Sequence, residues 1–319
     1  MKKIHKILTG LLVFQVALIA LVNINWTSAS AKAGESLLSV PDQSAIDQIL
    51  ITQDNKDVVI ASDGTTWSLS DMNKLPASEQ KISGVLDDLV RLKKTWPVAK
   101  TTSAAGRFEV AEDKFNKRVV LKNGDDTLTT LYLGTSPGYK RVHLRIDDED
   151  EIYSAAINGY DISGTAVDWL DKGLLKQQSA LLSSLTFNDL TLQKDGTAWR
   201  LADQADNEEP NTEEINKVTD FITNLQVTGL LEQDKVKTIK VLKPAIKITT
   251  TVDQNEVSYF AYIHENDAAV KSSLRDEWFK MAKHSVDNIK DLQRADFVKE
   301  KTAPASTDGD ANLAPLVNP

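Results

Sequence analysis

Asp63-Gly64-Thr65-Thr66-Trp67-Ser68-Leu69 returns 132 positions later as Asp195-Gly196-Thr197-Ala198-Trp199-Arg200-Leu201. An alternating apolar run precedes each copy, Val58-Val59-Ile60 in one and Leu190-Thr191-Leu192 in the other. A proline-containing loop and a helical pattern follow each. A repeat of this length marks a duplicated folding unit. Asp-Gly between alternating runs is a two-residue hairpin signal, because positive φ costs glycine little. The returning strand carries Trp67 and Leu69 on one face by its period of two.

Working outward, Ser78 is placed to cap a helix in which Ile82, Val85, Leu86, Leu89 and Leu92 form one apolar stripe. Its counterpart runs from Thr212, read as the cap, to Leu225, with Ile215, Val218, Ile222 and Leu225 as the stripe. In the first unit the strands are Ile46–Thr52, Asp57–Ala61, Arg118–Leu121, Thr127–Leu133, Arg141–Ile146 and Glu151–Ala155. In the second they are Val236–Leu242, Ala245–Val252, Val257–Ile263 and Asp276–Ala282. Asp150–Ala156 matches Asp276–Ala282 at an offset of 126, so the second unit has a shorter middle, consistent with a trimmed loop. Short helical pieces, Thr165–Leu175 and Val286–Leu292, close the two units. Hairpins on both sides of one helix, without βαβ alternation, predict an α+β fold: two tandem repeats of a mostly antiparallel sheet with a packed helix.

The domain boundaries follow. Residues 1–24 are a signal anchor or transmembrane helix, 25–45 a tether, 46–176 the first repeat, 177–298 the second, and 299–319 a disordered tail rich in small and polar residues. The leader reads Met1-Lys2-Lys3-Ile4-His5-Lys6 and then an apolar stretch to Val22, broken by Thr9, Gly10 and Gln15. Membrane contact is therefore expected through residues 7–24, near the lower end of spanning length. Lysines ahead of it orient the N-terminus inward and the body outward, with Trp26 at the outer headgroups. Ala29-Ser30-Ala31 and Ala31-Lys32-Ala33 are small-x-small patterns suited to signal cleavage. The length of the apolar run, and the distance to those patterns, favour an uncleaved anchor.

Composition removes several function classes. The net charge is −9, and residues 1–33 hold Lys2, Lys3, Lys6 and Lys32 with no acid, which leaves −13 on everything after them. Such a body is repelled by phosphate backbones, so no nucleic-acid partner is expected. The chain has no cysteine, which excludes disulfides, thiolate chemistry and a lipidated anchor.

With these elements in order, the chain resembles the bacterial domain-of-unknown-function 4340 family. The residues that carry the resemblance are Asp63–Leu69, Leu89-Val90-Arg91-Leu92, Leu131-Tyr132-Leu133-Gly134, Gly138–Val142, Glu151-Ile152-Tyr153 and Asp168–Leu175. It covers about Ile46 to Leu175, with a weaker second copy to Val298 that lacks the Leu-Gly stretch and the Trp-Leu-Asp-Lys ending. The resemblance implies an envelope protein anchored in the inner membrane and often paired with gliding-type ABC transporters. It transfers no catalytic residue.

Candidate chemistry is sparse. The four histidines, His5, His143, His264 and His284, do not pair on one helix with a third ligand, so zinc lacks its usual shell. Asp147-Asp148-Glu149-Asp150-Glu151 is dense in acid but lacks the spaced ligands and glycine of a calcium loop, and reads as a hairpin tip, as does Asp125-Asp126. Gly134-Thr135-Ser136-Pro137-Gly138 reads as a turn, with a ligand-admitting loop as the sharper reading. Trp67 and Trp199 read as core pegs rather than a stacking surface. Nucleophile-elbow and phosphate-loop motifs are missing. No catalytic, cofactor-binding or metal-ligating residue is assigned, and no cofactor is expected.

The expected function is a non-enzymatic, membrane-tethered accessory protein of the cell envelope. It would be single-pass in the inner membrane with its body in the periplasm, a binding or scaffold partner of an ABC transporter permease or another inner-membrane protein. Two further readings stand beside it: an exported hydrolase with dispersed carboxylates, and a soluble periplasmic ligand-binding protein released by signal cleavage.

Overall fold

The computed structural model describes residue 5 and residues 7–20, 34–40, 42–252 and 255–301. Helix α1 occupies residues 7–20. The chain divides into two compact units between Asp171 and Lys172. The first unit runs β1 (Gln48–Gln53), β2 (Lys56–Ser62), β3 (Trp67–Leu69), β4 (Leu75–Pro76), α2 (Glu79–Val90), α3 (Thr102–Phe108), β5 (Lys117–Asn123), β6 (Asp126–Leu133), β7 (Val142–Ile146) and β8 (Ile152–Ala155). These strands form one sheet in the order β4-β3-β2-β1-β5-β6-β7-β8, every pairing antiparallel.

The second unit runs β9 (Leu182–Phe187), β10 (Leu190–Asp195), β11 (Ala198–Leu201), β12 (Glu208–Pro210), α4 (Thr212–Thr223), β13 (Val227–Leu230), α5 (Gln233–Ile239), β14 (Ile246–Val252), β15 (Asn255–His264), β16 (Asp267–Ser272), β17 (Trp278–Met281), α6 (Lys283–Asp287) and β18 (Val298–Glu300). Its sheet has the order β11-β10-β9-β14-β15-β16-β17-β13, again antiparallel, and β12 pairs separately with β18. The order repeats strand for strand, with β9, β10, β11, β14, β15, β16 and β17 in the places of β1, β2, β3, β5, β6, β7 and β8. The hairpin echo keeps its register: Ile60 faces Leu69 and Ser62 faces Trp67, as Leu192 faces Leu201 and Lys194 faces Trp199.

Alternation explains the first core. Ile49 and Ile51 point to one face of β1 and pair with Ile60 and Val58 on one side, and with Leu121 and Val119 on the other; all six are at most 3% exposed. Each such side chain contributes about 1.5–3 kcal/mol on burial. The stripe of α2, Ile82, Val85, Leu86 and Leu89, is buried as well. The Ser78 side chain accepts the Lys81 N–H at 3.4 Å and opens the helix as expected.

Several expectations change. The Asp-Gly turn of the first unit is a four-residue loop, because the Asp63 carboxylate takes the N–H groups of Thr65 and Thr66, both at 2.9 Å; only the second unit has the two-residue turn, Gly196-Thr197. The cap of α4 is Asn211, with Thr212 inside the helix. Val236–Leu242 is not a strand: most of it lies in α5, whose Ile239 is buried with Leu231 and Ala269. Helix α3 was not foreseen, since its core contacts are the small side chains Ala104 and Ala105 against Val110, Tyr132 and Ile152. The trimmed middle is real, and its largest part is the β6–β7 connection, residues 134–141, which shrinks to Glu265-Asn266 between β15 and β16.

Parts of the segments expected as tether and tail are ordered. Leu37, Leu38 and Val40 are buried, and the Leu37 N–H bonds to the Leu92 carbonyl at 2.8 Å, so residues 34–40 pack onto the first unit. Val298–Glu300 pairs with β12, carrying ordered chain past residue 298. The remainder of both segments, residues 25–33 and 302–319, lies outside the described residues, as do residues 21–24 of the leader.

Trp67 and Trp199 are half-buried rather than core pegs: each sits at the turn end of its hairpin, two residues before Leu69 and Leu201, which are fully buried. Among the described residues the buried tryptophan is Trp169, fully enclosed, its indole N–H on the Ser163 carbonyl at 2.8 Å and the Lys81 ammonium 4.5 Å from its ring centroid. Trp169→Ala is expected to cost about 3–5 kcal/mol in urea unfolding. Trp67→Ala and Trp199→Ala should each cost about 1 kcal/mol; equal losses at all three positions would refute this ranking.

In the second unit Arg294 clamps the loop ahead of α4. It holds Glu208 with two parallel bonds of 2.9 and 3.0 Å and reaches Asp203 at 3.2 Å. The Arg294 hydrogen bonds draw the Glu208 carboxyl down to about 2 from 4.5. A lowered acid stabilises above its unfolded pKa, so this contribution is whole above pH 4.5 and is lost as pH falls toward about 2. Arg294→Gln should lower the melting temperature near neutrality and flatten its fall across that window; an unchanged acid limb would contradict the assignment.

Candidate functional site

The β6–β7 connection of the first unit is the main feature that the second unit lacks, and it borders a cleft of about 650 Å³. Its backbone is built in. The Gly134 N–H bonds to the His143 carbonyl and the Thr135 N–H to the Phe108 carbonyl, both at 2.9 Å. A β-carbon on Gly134 would lie 1.9 Å from the Phe108 carbonyl oxygen, so no larger residue fits there without moving backbone. The Ser136 hydroxyl lies 2.8 Å from the carbonyls of both Gly138 and Arg141, its one hydrogen shared between them, and closes the loop on itself. Arg141 is anchored in turn: Nε donates to the Ser154 hydroxyl at 2.8 Å, and Nη2 to the Ser154 carbonyl.

The opposite wall comes from the segment after β8. Lys117, the first residue of β5, donates to the carbonyls of Gly159 and Ile162, both at 2.6 Å, and so ties that segment to the sheet. Burial depresses the Lys117 pKa; the nearby Lys81 charge adds to this and Asp161 opposes it. Tyr139 from the first loop and Tyr160 from the second stand 88% and 89% exposed and line the same cleft. No large hydrophobic residue among those described is more exposed than these two. The Lys140 ammonium sits 5.4 Å from the Tyr139 ring centroid. Lys117, Lys140 and Arg141 thus face one lining carboxylate, Asp54, in a chain of net −9.

The polar residues singled out from the sequence are dispersed. His143 is buried, its Nδ1 2.9 Å from the Thr135 hydroxyl and its ring 4.2 Å from that of Phe108; burial lowers its pKa. His5 lies in the leader ahead of α1, His264 ends β15 and His284 is in α6. Among the described residues no group of three or more His, Asp or Glu is placed to hold a metal ion. The acidic run Asp147–Glu151 turns between β7 and β8 and acts as a clamp on the chain after α2. Lys94 meets Glu149 at 3.0 Å and Lys100 meets Glu151 at 3.1 Å. Asp126 pairs with Asn123 across the β5–β6 turn.

Gly134–Gly138 is therefore more than a turn, since it forms a wall of the cleft. No local motif marks Lys117, Tyr139, Lys140 or Tyr160 as a site residue. The one signal for them is the mismatch in repeat offset, 132 against 126, which marks a connection longer in the first unit than in the second.

No curated protein and no solved structure matches the chain. The model of one family, described as Domain of unknown function (DUF4340), matches residues 67–244, more than half of the chain, from β3 to the residues just before β14. With its repeated hairpin and helix order on one side and that match on the other, the chain belongs to the DUF4340 family.

Proposed function

We propose that this is a non-enzymatic accessory protein of the cell envelope, tethered to the inner membrane with its body in the periplasm, that serves as a binding or scaffold partner of an ABC transporter permease. The observation that carries the tether is α1. Its large apolar side chains, Leu11, Leu12, Val13, Phe14, Val16 and Ile19 among them, are each more than half exposed. At about 100° per residue those positions surround the helix. A helix apolar on all sides needs a medium or a partner to cover it. Among the described residues no helix is long and apolar enough to cross a membrane; α1 is described only to residue 20, and the apolar sequence continues through Ile24. The transporter partnership rests on family resemblance and on a duplicated scaffold that offers surfaces rather than a convergent reaction centre.

The carboxyls with displaced acidity bear on the hydrolase reading. Asp42, Asp63, Glu208, Glu232 and Asp267 are all displaced downward, toward the ionised form. A general acid at neutral pH asks for the reverse. The soluble periplasmic reading remains the one to separate by experiment.

Phe14→Asp places a charge near the middle of the apolar run, at about 2.5–3.5 kcal/mol in a bilayer. It should move the chain from the membrane pellet to the soluble fraction. A wild-type chain that is soluble, with an N-terminal mass beginning after Ala31 or Ala33, would overturn the anchor in favour of the secreted form. Crosslinking in intact membranes followed by mass spectrometry should capture a permease subunit; none at saturating crosslinker would overturn the partnership.

A further inference from the structure

We infer that the cleft beside the β6–β7 loop is a binding site for a carboxylated saccharide, an oligomer of uronic acid seated between Tyr139 and Tyr160. This inference is independent of where the chain is anchored and of its transporter partner. Its volume, about 650 Å³, lies within the range of small-ligand sites. Exposed tyrosines offer flat apolar faces with a polar tip, which suits sugar rings that present C–H faces and hydroxyl edges.

The hydrogen-bonding character of the walls is one-sided. The Gln53 Oε1 is occupied by the Gly164 N–H at 3.2 Å, and the Asn158 Oδ1 by the Tyr160 N–H at 3.3 Å, which leaves the donor NH₂ group of each amide uncommitted among the described contacts. Lys117 spends two of its three N–H groups on carbonyls. With Lys140 and Arg141, the cleft is rich in donors and positive charge, and it calls for a ligand rich in acceptor oxygens with at least one carboxylate. Asp54 adds a single acceptor suited to hydroxyl groups.

Other anionic ligands fit less well. Polyphosphate chains present no apolar C–H face for the rings of Tyr139 and Tyr160 to cover. An extended peptide would gain most from an open sheet edge, but β6 and β7 are each paired on both sides. The site is also confined to one copy of the duplicated unit, since β15 and β16 are joined by two residues.

The test is calorimetric titration of the full, detergent-solubilised chain with three probes: trigalacturonic acid, uncharged maltotriose and a hexaglutamate peptide. Trigalacturonic acid should bind, and its affinity should fall as NaCl rises from about 0.05 M to about 0.5 M. Maltotriose should bind at least about tenfold more weakly, through loss of the charge-assisted bonds. Tyr139→Ala and Tyr160→Ala should each weaken trigalacturonate by about two- to tenfold with unchanged melting temperature. Lys140→Glu, a change at an exposed position, should weaken it further without loss of fold. Absence of trigalacturonate binding, or equal affinity in all three variants, would overturn the proposal. Equal or tighter binding of hexaglutamate would overturn the saccharide in favour of an acidic peptide.

Discussion

The structure depends on one strand in each unit burying a single face between two antiparallel neighbours. In the first unit this is β1, whose Ile49 and Ile51 are enclosed by Ile60 and Val58 from β2 and by Leu121 and Val119 from β5. In the second it is β9, where Leu185 lies between Leu192 and Thr250, and Phe187 between Leu190 and Ile248. A slip of one residue would turn every one of these side chains to the opposite face. The hairpin β1–β2 is local, but β5 is separated from β1 by β3, β4 and both helices. The apolar pairing therefore has to hold the sheet together across that connection. The duplicated helix lies in the same segment of each unit and brings its own buried stripe.

With no cysteine in the chain, nothing covalent adds to that core. Stability rests on apolar burial and on polar clamps that close the connections. Each clamp ties a segment of weak intrinsic structure to a strand or turn: Lys94 and Lys100 against the acidic β7–β8 turn, Lys117 against two carbonyls, Arg294 against Glu208 and Asp203. The acidic run that looks like a cation site in the sequence is one half of such a clamp. Its charges are partly met by lysines 51 to 55 residues away, a relation that no local pattern contains.

Divergence between the two copies bears most directly on function. Strand order is retained while connections change. The second unit diverts β12 to β18, where the first uses β4 to cover β3, and it reduces the β6–β7 connection to two residues. Core positions tolerate little change in volume, whereas surface connections accept insertions at small entropic cost. The long loop beside β7 is where the first copy carries exposed aromatic and basic groups in an otherwise acidic chain.

The period-two runs, the Asp-Gly echo and the helical stripes determined the α+β class, the duplication, most strands and both main helices, because each is a local pattern set by backbone geometry. They did not determine α5, where Val236 and Ile239 satisfy a short helix as readily as a strand, nor α3, whose core contacts are two alanines with little hydrophobic signal. The degree of burial of the tryptophans was also a tertiary matter. Trp67, Trp169 and Trp199 are chemically alike, yet Trp169, at the end of a 3-10 turn (Ala166–Trp169) outside the sheet, is enclosed while the two strand tryptophans are half-covered. The cleft is tertiary for the same reason. Lys117, Tyr139 and Tyr160 come from three separated segments, and their meeting depends on carbonyl contacts and a glycine cradle that spacing along the chain does not encode.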